Sequence, residues 1–220
     1  MFPRMTKPKP GKMSKGLVFF LWFSLVFPAL SLAADKTPPT GSITINSYAT
    51  YTSSASVSLN LSASDKGSGM KKGKARFSND NYNWSSAENY KSSKSWTLSS
   101  GEGTKTVYAK FCDAKGNWMK SASSDSIILD TSNPSKPTVT DSGSSTSSTS
   151  GLSASWSSSD TTSGIAEYQY QITRDSTTGT AVVSWTSAGT SASVVKTGLS
   201  LTSGKSYYFG VKAKNGAGLW

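Results

Sequence analysis

Hydrophobic and polar residues alternate one by one in short stretches along this chain. Residues 57–61 read VSLNL, and residues 107–111 read VYAKF. Turn-forming residues such as Asn79, Asp80 and Asn81 separate these stretches. Because neighbouring side chains of a β-strand point to opposite faces of a sheet, the alternation predicts short strands with one buried face. After residue 34, the sequence contains no long apolar stripe with a helical period.

The same motif occurs twice. Residues 62–70 (SASDKGSGM) and residues 157–165 (SSSDTTSGI) share the pattern S-x-S-D-x-x-S-G followed by an apolar residue. The same offset of 95 residues relates Asp35 to Asp130. A repeat of this length is one small domain, whereas solenoid units span roughly 20–50 residues. With about seven short strands in each half, the pattern predicts an all-β protein made of two β-sandwiches in tandem.

Each half resembles a known family. The second half is similar to fibronectin type III domains: Trp156 matches their buried tryptophan, and Leu199, Gly204, Tyr207 and residues 209–215 match their tyrosine-corner strand. The first half resembles the immunoglobulin-like repeats found in tandem in large secreted and surface proteins of bacteria. The residues that carry this second likeness are 35–39, 77–80, 94–98, 108, 113–117 and 125–134. These resemblances imply structural roles for Trp156 and Tyr207, and modules that act as spacers, adhesion surfaces or appendages of hydrolases.

These observations predict four segments. They are a signal peptide at residues 1–33, an immunoglobulin-like β-sandwich at 34–131, a linker at 132–137 and a fibronectin type III-like β-sandwich at 138–220. Pairing Trp118 with Trp220 aligns the ends of the two halves. The first half continues beyond Trp118 through a closing strand, so we expect the second sandwich to lack its last strand. The sequence then represents the front of a longer protein.

The first 33 residues have the composition of a secretory leader. Five basic residues precede a stretch, residues 17–32, that is apolar apart from Ser24 and Ser31. Ser31, Leu32 and Ala33 then supply the small residues of a cleavage site. The uncharged stretch from Leu17 to Ala34 has 18 residues, which is just long enough to serve as an uncleaved membrane anchor, and this is the alternative. Under both interpretations the remaining chain is exported, and we expect it to be secreted or at the cell surface.

The composition argues against two classes of function. The formal charge of +11 includes the five leader cations, which leaves a mildly basic +6, too little for a nucleic-acid binder. The chain has no histidine and one cysteine, Cys112, which is expected to lie at the surface. No Gly-x-Ser-x-Gly elbow or paired-carboxylate pattern occurs. Without these groups, we expect no catalytic residues, no cofactor and no enzymatic activity.

Four aspartates in turns and linkers are candidate calcium ligands: Asp35, Asp65, Asp113 and Asp130. Calcium takes six to eight oxygen ligands, several of them from carboxylates. Turn-forming aspartates that accept hydrogen bonds from their own backbone explain the same residues more simply. The sequence favours this structural interpretation and leaves calcium as the alternative.

A basic stripe is the other candidate site. Lys72, Lys74 and Arg76 are expected on one face of a strand, beside a strand that carries Tyr108 and Lys110. Such a stripe suits an anionic polysaccharide or a lipid headgroup. A solvated outer face whose lysines discourage edge pairing is the simpler explanation.

The sequence therefore predicts a non-catalytic, exported structural or adhesive module, a spacer or surface-interaction segment of a larger extracellular protein. Its expected partners are an extracellular or cell-surface protein or polysaccharide and further domains of its own chain, with a membrane contacted only through an uncleaved leader. Two alternatives stay open. The modules could precede the catalytic domain of a secreted enzyme, or they could form a carbohydrate-binding module.

Overall fold

The computed structural model describes residues 34–220, together with Met5, Thr6 and Gly11. The predicted leader lies otherwise outside the described residues. The described residues form fourteen strands, and among them no helix is long and apolar enough to cross a membrane. The strands are β1 (Thr40–Ile45), β2 (Tyr51–Thr52), β3 (Ser56–Ser64), β4 (Lys74–Ser78), β5 (Glu88–Asn89), β6 (Ser93–Thr97), β7 (Gly103–Cys112), β8 (Ser123–Leu129), β9 (Thr138–Asp141), β10 (Leu152–Ser157), β11 (Ile165–Arg174), β12 (Thr180–Gly189), β13 (Ser193–Lys196) and β14 (Tyr207–Asn215).

The first eight strands form a sandwich of two sheets. One sheet has the order β1-β3-β6, and the other has the order β2-β8-β7-β4-β5. All pairs are antiparallel except β2 with β8, which is parallel. Strand β3 shows why the sequence folds this way, since its odd-numbered residues Val57, Leu59 and Leu61 are buried and the serines and asparagine between them are exposed.

The core of the first sandwich lies between its two sheets. Ile45 and Leu59 from one sheet meet Phe77, Val107 and Phe111 from the other, and all five side chains are fully buried. The Tyr90 ring packs edge-on against Phe111 at 5.8 Å between centroids. Burial of apolar surface between two sheets, at roughly 25 cal/mol per Å², is the main force that holds this half together without any disulfide.

The last six strands form a second sandwich with its own core. Its sheets have the orders β13-β10-β9 and β12-β11-β14, and all pairs are antiparallel. Trp156 from β10 packs against Tyr168 and Tyr170 from β11, with ring centroids 6.0 and 6.1 Å apart. Two separate cores and no helix in the described part of the chain confirm the predicted all-β fold of two tandem sandwiches. The predicted domain boundaries stay predictions.

Two local expectations were wrong. Cys112 is buried, with 3% of its surface exposed, although it follows the inward-facing Phe111. The loop after it folds back, and Cys112 forms an isolated antiparallel bridge with Trp118. Burial is the largest cause that raises the pKa of the Cys112 thiol. Lys72 lies outside the strand, because β4 begins at Lys74.

Candidate functional site

The structure brings three of the four candidate aspartates together. A carboxylate oxygen from each of Asp35, Asp65 and Asp113 lies within 4.8 Å of those of the other two. Asp35 precedes β1, Asp65 follows β3 and Asp113 follows β7. One end of the first sandwich therefore gathers carboxylates from three segments that are far apart in sequence. We call this set the aspartate cluster.

Local turns explain how each carboxylate is held. Asp65 Oδ1 accepts hydrogen bonds from the backbone N–H groups of Ser68 at 2.7 Å and Gly69 at 2.8 Å. Asp113 Oδ1 accepts from the backbone of Lys115 and Asn117, each at 2.8 Å. Carboxylates that accept hydrogen bonds from backbone groups two to four residues ahead fix the turns that follow these strands.

Asp35 ties the start of the chain to this end of the sandwich. Its Oδ1 accepts from Thr37 N at 2.9 Å, and its Oδ2 accepts from Ser68 N at 2.8 Å. Its carbonyl oxygen accepts from Asn117 Nδ2 at 3.0 Å. Gly67 lies so close that a Cβ added there would come within 2.4 Å of Asp35 Oδ2. A glycine at position 67 thus leaves the room that the Asp35 carboxylate occupies.

Hydrogen bonds lower the pKa of Asp35 and of Asp113. Burial tends to raise the pKa of Asp113, but hydrogen bonds from the side chain and backbone of Asn117 lower it to about 2. The backbone N–H of Thr37 is the largest cause that lowers the pKa of Asp35, whereas burial and the charge of Asp113 raise it. The cluster is therefore an anionic site near neutral pH, stabilised mainly by donors on its own loops.

The residues fit a hard divalent cation only in part. Three carboxylates are a suitable donor set for calcium, which also needs several further oxygens to reach six to eight ligands. Five of the six carboxylate oxygens already accept hydrogen bonds from the surrounding loops, Asp65 Oδ2 being the sixth. The hydrogen bonds of the loops account for these aspartates without an ion, so calcium stays an untested alternative.

The fourth candidate, Asp130, belongs to a separate and corresponding cluster in the second sandwich. Asp130 ends the first sandwich, directly after β8, and its side chain is fully buried. Its Oδ2 accepts hydrogen bonds from Ser163 Oγ and from Asn215 Nδ2, the latter at 3.0 Å. Asn215 Nδ2 also donates to Asp160 Oδ2 at 3.1 Å and to Ser132 O at 2.9 Å.

The two clusters match residue by residue. Asp130 and Asp160 follow Asp35 and Asp65 by 95 residues, and Asn215 takes the place of Asp113 when Trp220 is aligned with Trp118. The backbone N–H of Leu219 donates to Asn215 Oδ1 at 2.8 Å, as that of Asn117 donates to Asp113. In the second sandwich the amide of Asn215 thus replaces the third carboxylate, and its N–H groups donate hydrogen bonds to the carboxylates of Asp130 and Asp160.

The sequence interpretation did not single out Asp160, Ser163 or Asn215 as members of a site. The signal was present, because the repeated motif gives Asp160 and Ser163, and the tryptophan register gives Asn215. What the sequence did not show is that Asp130, at the end of one sandwich, would insert its carboxylate into the other.

Further hydrogen bonds join the two sandwiches around Asp130, and we call the whole set the junction. Glu102 in the first sandwich accepts from Thr131 Oγ1 at 2.7 Å and Ser132 Oγ at 2.8 Å, and from Thr162 Oγ1 in the second at 3.2 Å. The side chain of Thr131 is the largest cause that lowers the pKa of Glu102. Gly216 packs against Tyr51, since a Cβ atom added at position 216 would lie 3.0 Å from the tyrosine ring. The connection is therefore a packed, hydrogen-bonded contact.

The basic stripe differs in part from its prediction. Strand β4 pairs with β7 as expected, and Arg76 lies directly opposite Lys110. The Arg76 guanidinium lies between two indoles, 5.1 Å from Trp84 and 4.8 Å from Trp118. Lys110 Nζ lies 5.4 Å from Trp84 and donates to the Lys120 carbonyl at 2.8 Å. These two cations are engaged by the protein itself.

Lys72 and Lys74 are exposed, Lys74 at the start of β4 and Lys72 in the turn before it. A similar cluster, which the sequence interpretation did not identify, lies on the second sandwich. Lys212 Nζ is 4.9 Å from the Trp185 ring and 4.4 Å from the Trp220 ring. Each sandwich thus carries a cation between two tryptophans on its outer surface.

Trp156 and Tyr207, for which the resemblance implied structural roles, both make hydrogen bonds within the second sandwich. Trp156 is buried, and its Nε1 donates to the Ser191 carbonyl at 3.1 Å. The Tyr207 hydroxyl accepts a hydrogen bond from the backbone N–H of Thr202 at 2.8 Å. This contact closes a corner between the loop and β14 in the manner of a tyrosine corner.

Comparisons with known proteins give structural likeness only. No family model and no curated protein matches the chain. Among solved structures, the PKD1 domain of Vibrio anguillarum Epp is 18% identical, with a TM-score of 0.31, over 43% of this chain and 96% of that domain. Chicken CNTN1 FN1–FN3 domains are 15% identical, with a TM-score of 0.37, over 76% of this chain and 60% of that one.

A two-domain fibronectin type III segment of chicken tenascin is 12% identical, with a TM-score of 0.27, over 80% of this chain and 91% of that segment. These neighbours are PKD and fibronectin type III domains. At identities and scores this low, they do not identify the function of this chain.

Proposed function

We propose that this chain is a non-catalytic, extracellular structural module that holds two β-sandwiches in a fixed relative orientation. The observation that carries the proposal is the position of Asp130. A fully buried carboxylate at the end of the first sandwich accepts hydrogen bonds from Ser163 and Asn215 of the second. A flexible linker would leave such a group in solvent, because burying an unpaired carboxylate is costly.

The rest of the chain supports a spacer or adhesive role. The leader-like first 33 residues indicate export, and the candidate aspartates and Arg76 are held by hydrogen bonds and cation–π contacts within the protein. A rigid pair of sandwiches transmits position and force, and presents loops and sheet faces to extracellular proteins or polysaccharides. An accessory role in front of a secreted catalytic domain uses the same rigidity and is the alternative.

Distance measurements by electron paramagnetic resonance test the rigid junction. Spin labels on cysteines at Ser93 in β6 and Ser184 in β12 report one distance across the two sandwiches, and both serines are exposed. We expect a single narrow distance distribution. Asp130→Ala should broaden it, whereas Asp141→Ala, at an exposed aspartate at the end of β9, should leave it narrow. A distance distribution that is already broad in the labelled chain with Asp130 intact would refute the proposal.

Binding of a polyanion is a second candidate function, favoured by the two exposed lysines beside Arg76. Lys72 and Lys74 extend the positive charge of Arg76 and Lys110 along one end of β4. Because Arg76 and Lys110 are held by indoles and a carbonyl, the exposed lysines should provide most of the binding. A Lys72→Gln/Lys74→Gln variant should lose retention on heparin, and Lys196→Gln/Lys205→Gln in the second sandwich is the charge-matched control.

A further inference from the structure

Arg76 is held in place by aromatic rings and has no counter-ion. Its guanidinium lies 5.1 Å from the Trp84 ring and 4.8 Å from the Trp118 ring. Its Nε atom is buried without a hydrogen-bond partner, and no carboxylate among the described side chains forms an ion pair with it. Arg174, by contrast, lies 3.7 Å from the carboxylate of Asp175. The indoles thus contact the faces of the Arg76 guanidinium and leave its N–H groups unused.

Three cations share the outer face of the sheet at this point. Lys74 precedes Arg76 by two residues on β4, and Lys110 of β7 lies directly opposite Arg76. Alternate residues of a strand point to the same side, as do residues directly opposite each other, so the three side chains lie together, with Lys74 about 7 Å from Arg76 along the strand. Tyr108, two residues before Lys110, adds a half-buried ring. This face therefore presents positive charge beside aromatic rings.

The acids of the neighbouring strands lie on the other side of this sheet or are already occupied. Glu88 of β5 is opposite the buried Ala75 and pairs with a lysine of β6 at 2.8 Å. Asp125 of β8 is opposite the buried Val107 and accepts a hydrogen bond from the backbone of β1. Asp80, beyond the end of β4, accepts hydrogen bonds from its own loop. The outward positions of β4, β7 and β8 hold no acid, so the partner that complements this face is anionic.

The two indoles limit the shape of the anionic group that Arg76 can bind. A guanidinium presents its N–H groups in its own plane, as a fork that matches both oxygens of a carboxylate. With Trp84 and Trp118 over its faces, only the edge of the Arg76 guanidinium is open. A carboxylate is planar and fits this edge in the plane of the fork. A sulfate or phosphate group is tetrahedral and directs oxygens out of that plane, towards the rings. The arrangement therefore favours a carboxylate.

We propose that this face binds a polysaccharide whose sugar rings carry carboxylates, and that Arg76 selects the carboxylate. The aromatic rings beside the cations offer apolar surface to the C–H groups of the sugars. This inference rests on polyanion binding as the second candidate function of the chain. The exposed Lys72 and Lys74 attract any polyanion, whereas Arg76 discriminates among polyanions by the shape of the charged group.

Polymers that differ only in their charged group test this discrimination. Polygalacturonate carries carboxylates, dextran sulfate carries sulfates, and dextran is uncharged. The affinity of the full chain for each polymer is measured at one ionic strength, because salt screens these interactions. We expect Arg76→Lys, which keeps the charge, to weaken binding of polygalacturonate about tenfold and binding of dextran sulfate less than about twofold, since only the planar fork is lost. Arg174→Lys in the second sandwich is the matched control and should change neither affinity.

The lysine variant separates this inference from the polyanion candidate. Lys72→Gln/Lys74→Gln should weaken binding of both charged polymers by similar factors. If it does so while Arg76→Lys weakens both polymers equally or neither, polyanion binding stands and the role of Arg76 is overturned. If the unmodified chain binds neither charged polymer, both proposals fail. Tighter binding to phosphatidylserine vesicles than to polygalacturonate, with the same loss in Arg76→Lys, would identify a membrane surface as the partner and overturn the polysaccharide.

Nitrogen NMR of the arginine side chains gives a measurement on the unmodified chain, which no substitution can unfold. The signals of Arg76 are assigned by their loss in Arg76→Lys. We expect polygalacturonate to shift the guanidinium signals of Arg76 and to leave those of Arg174 in place, because Arg174 already lies beside Asp175. Equal shifts of the two arginines, or no shift of Arg76 at saturating polymer, would contradict the site.

Discussion

Asn215 in the second sandwich donates a hydrogen bond from Nδ2 to the buried carboxylate of Asp130, which belongs to the first sandwich, at 3.0 Å. The same amide reaches Asp160 and the carbonyl of Ser132. The Asn215 side chain thus makes hydrogen bonds both within its own sandwich and to the end of the first sandwich. In the first sandwich, Asp113 occupies the corresponding position and is itself a carboxylate.

The first prediction concerns replacing the carboxylate of Asp113 by the amide found at Asn215. In Asp113→Asn the new Nδ2 should face Asn117 Nδ2, which donates to Asp113 Oδ2 at 2.7 Å, so two donors would meet. We expect the first sandwich to lose about 1–3 kcal/mol of unfolding free energy. Adding Asn117→Leu reproduces the pair at positions 215 and 219 and should recover part of the loss. Urea unfolding of Asp113→Asn, Asn117→Leu and the double variant measures this. A double variant that loses more unfolding free energy than the two single variants added together would contradict it.

The second prediction concerns acid. The pKa of Asp113 in the folded chain is about 2, below its ordinary value of 3.8. A carboxyl group whose folded pKa is depressed adds stability above its unfolded pKa, and this stability is lost as the pH falls towards the folded pKa. We therefore expect the unfolding free energy of the first sandwich to fall between pH 4 and pH 2. Urea unfolding at several pH values measures the fall, and Asp113→Asn should make it shallower.

The third prediction concerns a glycine beside the first core. A Cβ at Gly41 would come within 2.4 Å of the buried Phe111 ring and 2.8 Å of the Ser62 carbonyl. Gly41→Ala should therefore destabilise the first sandwich by about 1–3 kcal/mol, as overpacking of a core does. At Gly151, the nearest atoms would be 3.6 Å away, so Gly151→Ala is the matched control. Thermal unfolding compares the two, and equal melting temperatures would show that the contact near Gly41 relaxes freely.

The fourth prediction concerns the cation between two indoles. Arg76 lies within 5.1 Å of both Trp84 and Trp118. Arg76→Ala should reduce the unfolding free energy by about 1–2 kcal/mol, since each cation–π contact contributes about 0.5–1 kcal/mol at an exposed site. Arg76→Lys keeps the charge and should lose less. Tryptophan fluorescence should shift in the alanine variant, because the indoles lose the group between them, and unchanged fluorescence would contradict the contact.

The junction gives a fifth prediction. Ser163→Ala removes one donor to the buried Asp130 carboxylate but leaves Asn215 in place. We expect a loss of about 1–3 kcal/mol, because a buried acceptor loses a partner. Ser191→Ala, at an exposed serine of the second sandwich, is the control. Calorimetry of the full chain compares the unfolding of the two variants with that of the original chain, and an unchanged transition in Ser163→Ala would contradict the role of Ser163.

The sequence by itself determined the fold class and the repeat. Alternation in β3 and β7 predicts strands with one buried face, because the period of side chains in a strand is a local property. The repeated motif around Asp65 and Asp160 marks equivalent turns, because such an aspartate binds backbone groups only a few residues away. Trp156 and Tyr207 could be assigned to strands from the sequence, because each belongs to a stretch with a recognisable strand pattern.

Only the tertiary structure decided which groups meet across the chain. Asp130 and Asn215 are 85 residues apart, and the orientation of two sandwiches brings them together. Cys112 is buried although it follows the inward-facing Phe111, which the alternation along β7 does not reveal. Pairing between distant segments depends on the whole packed chain, whereas a strand pattern depends on its immediate neighbours.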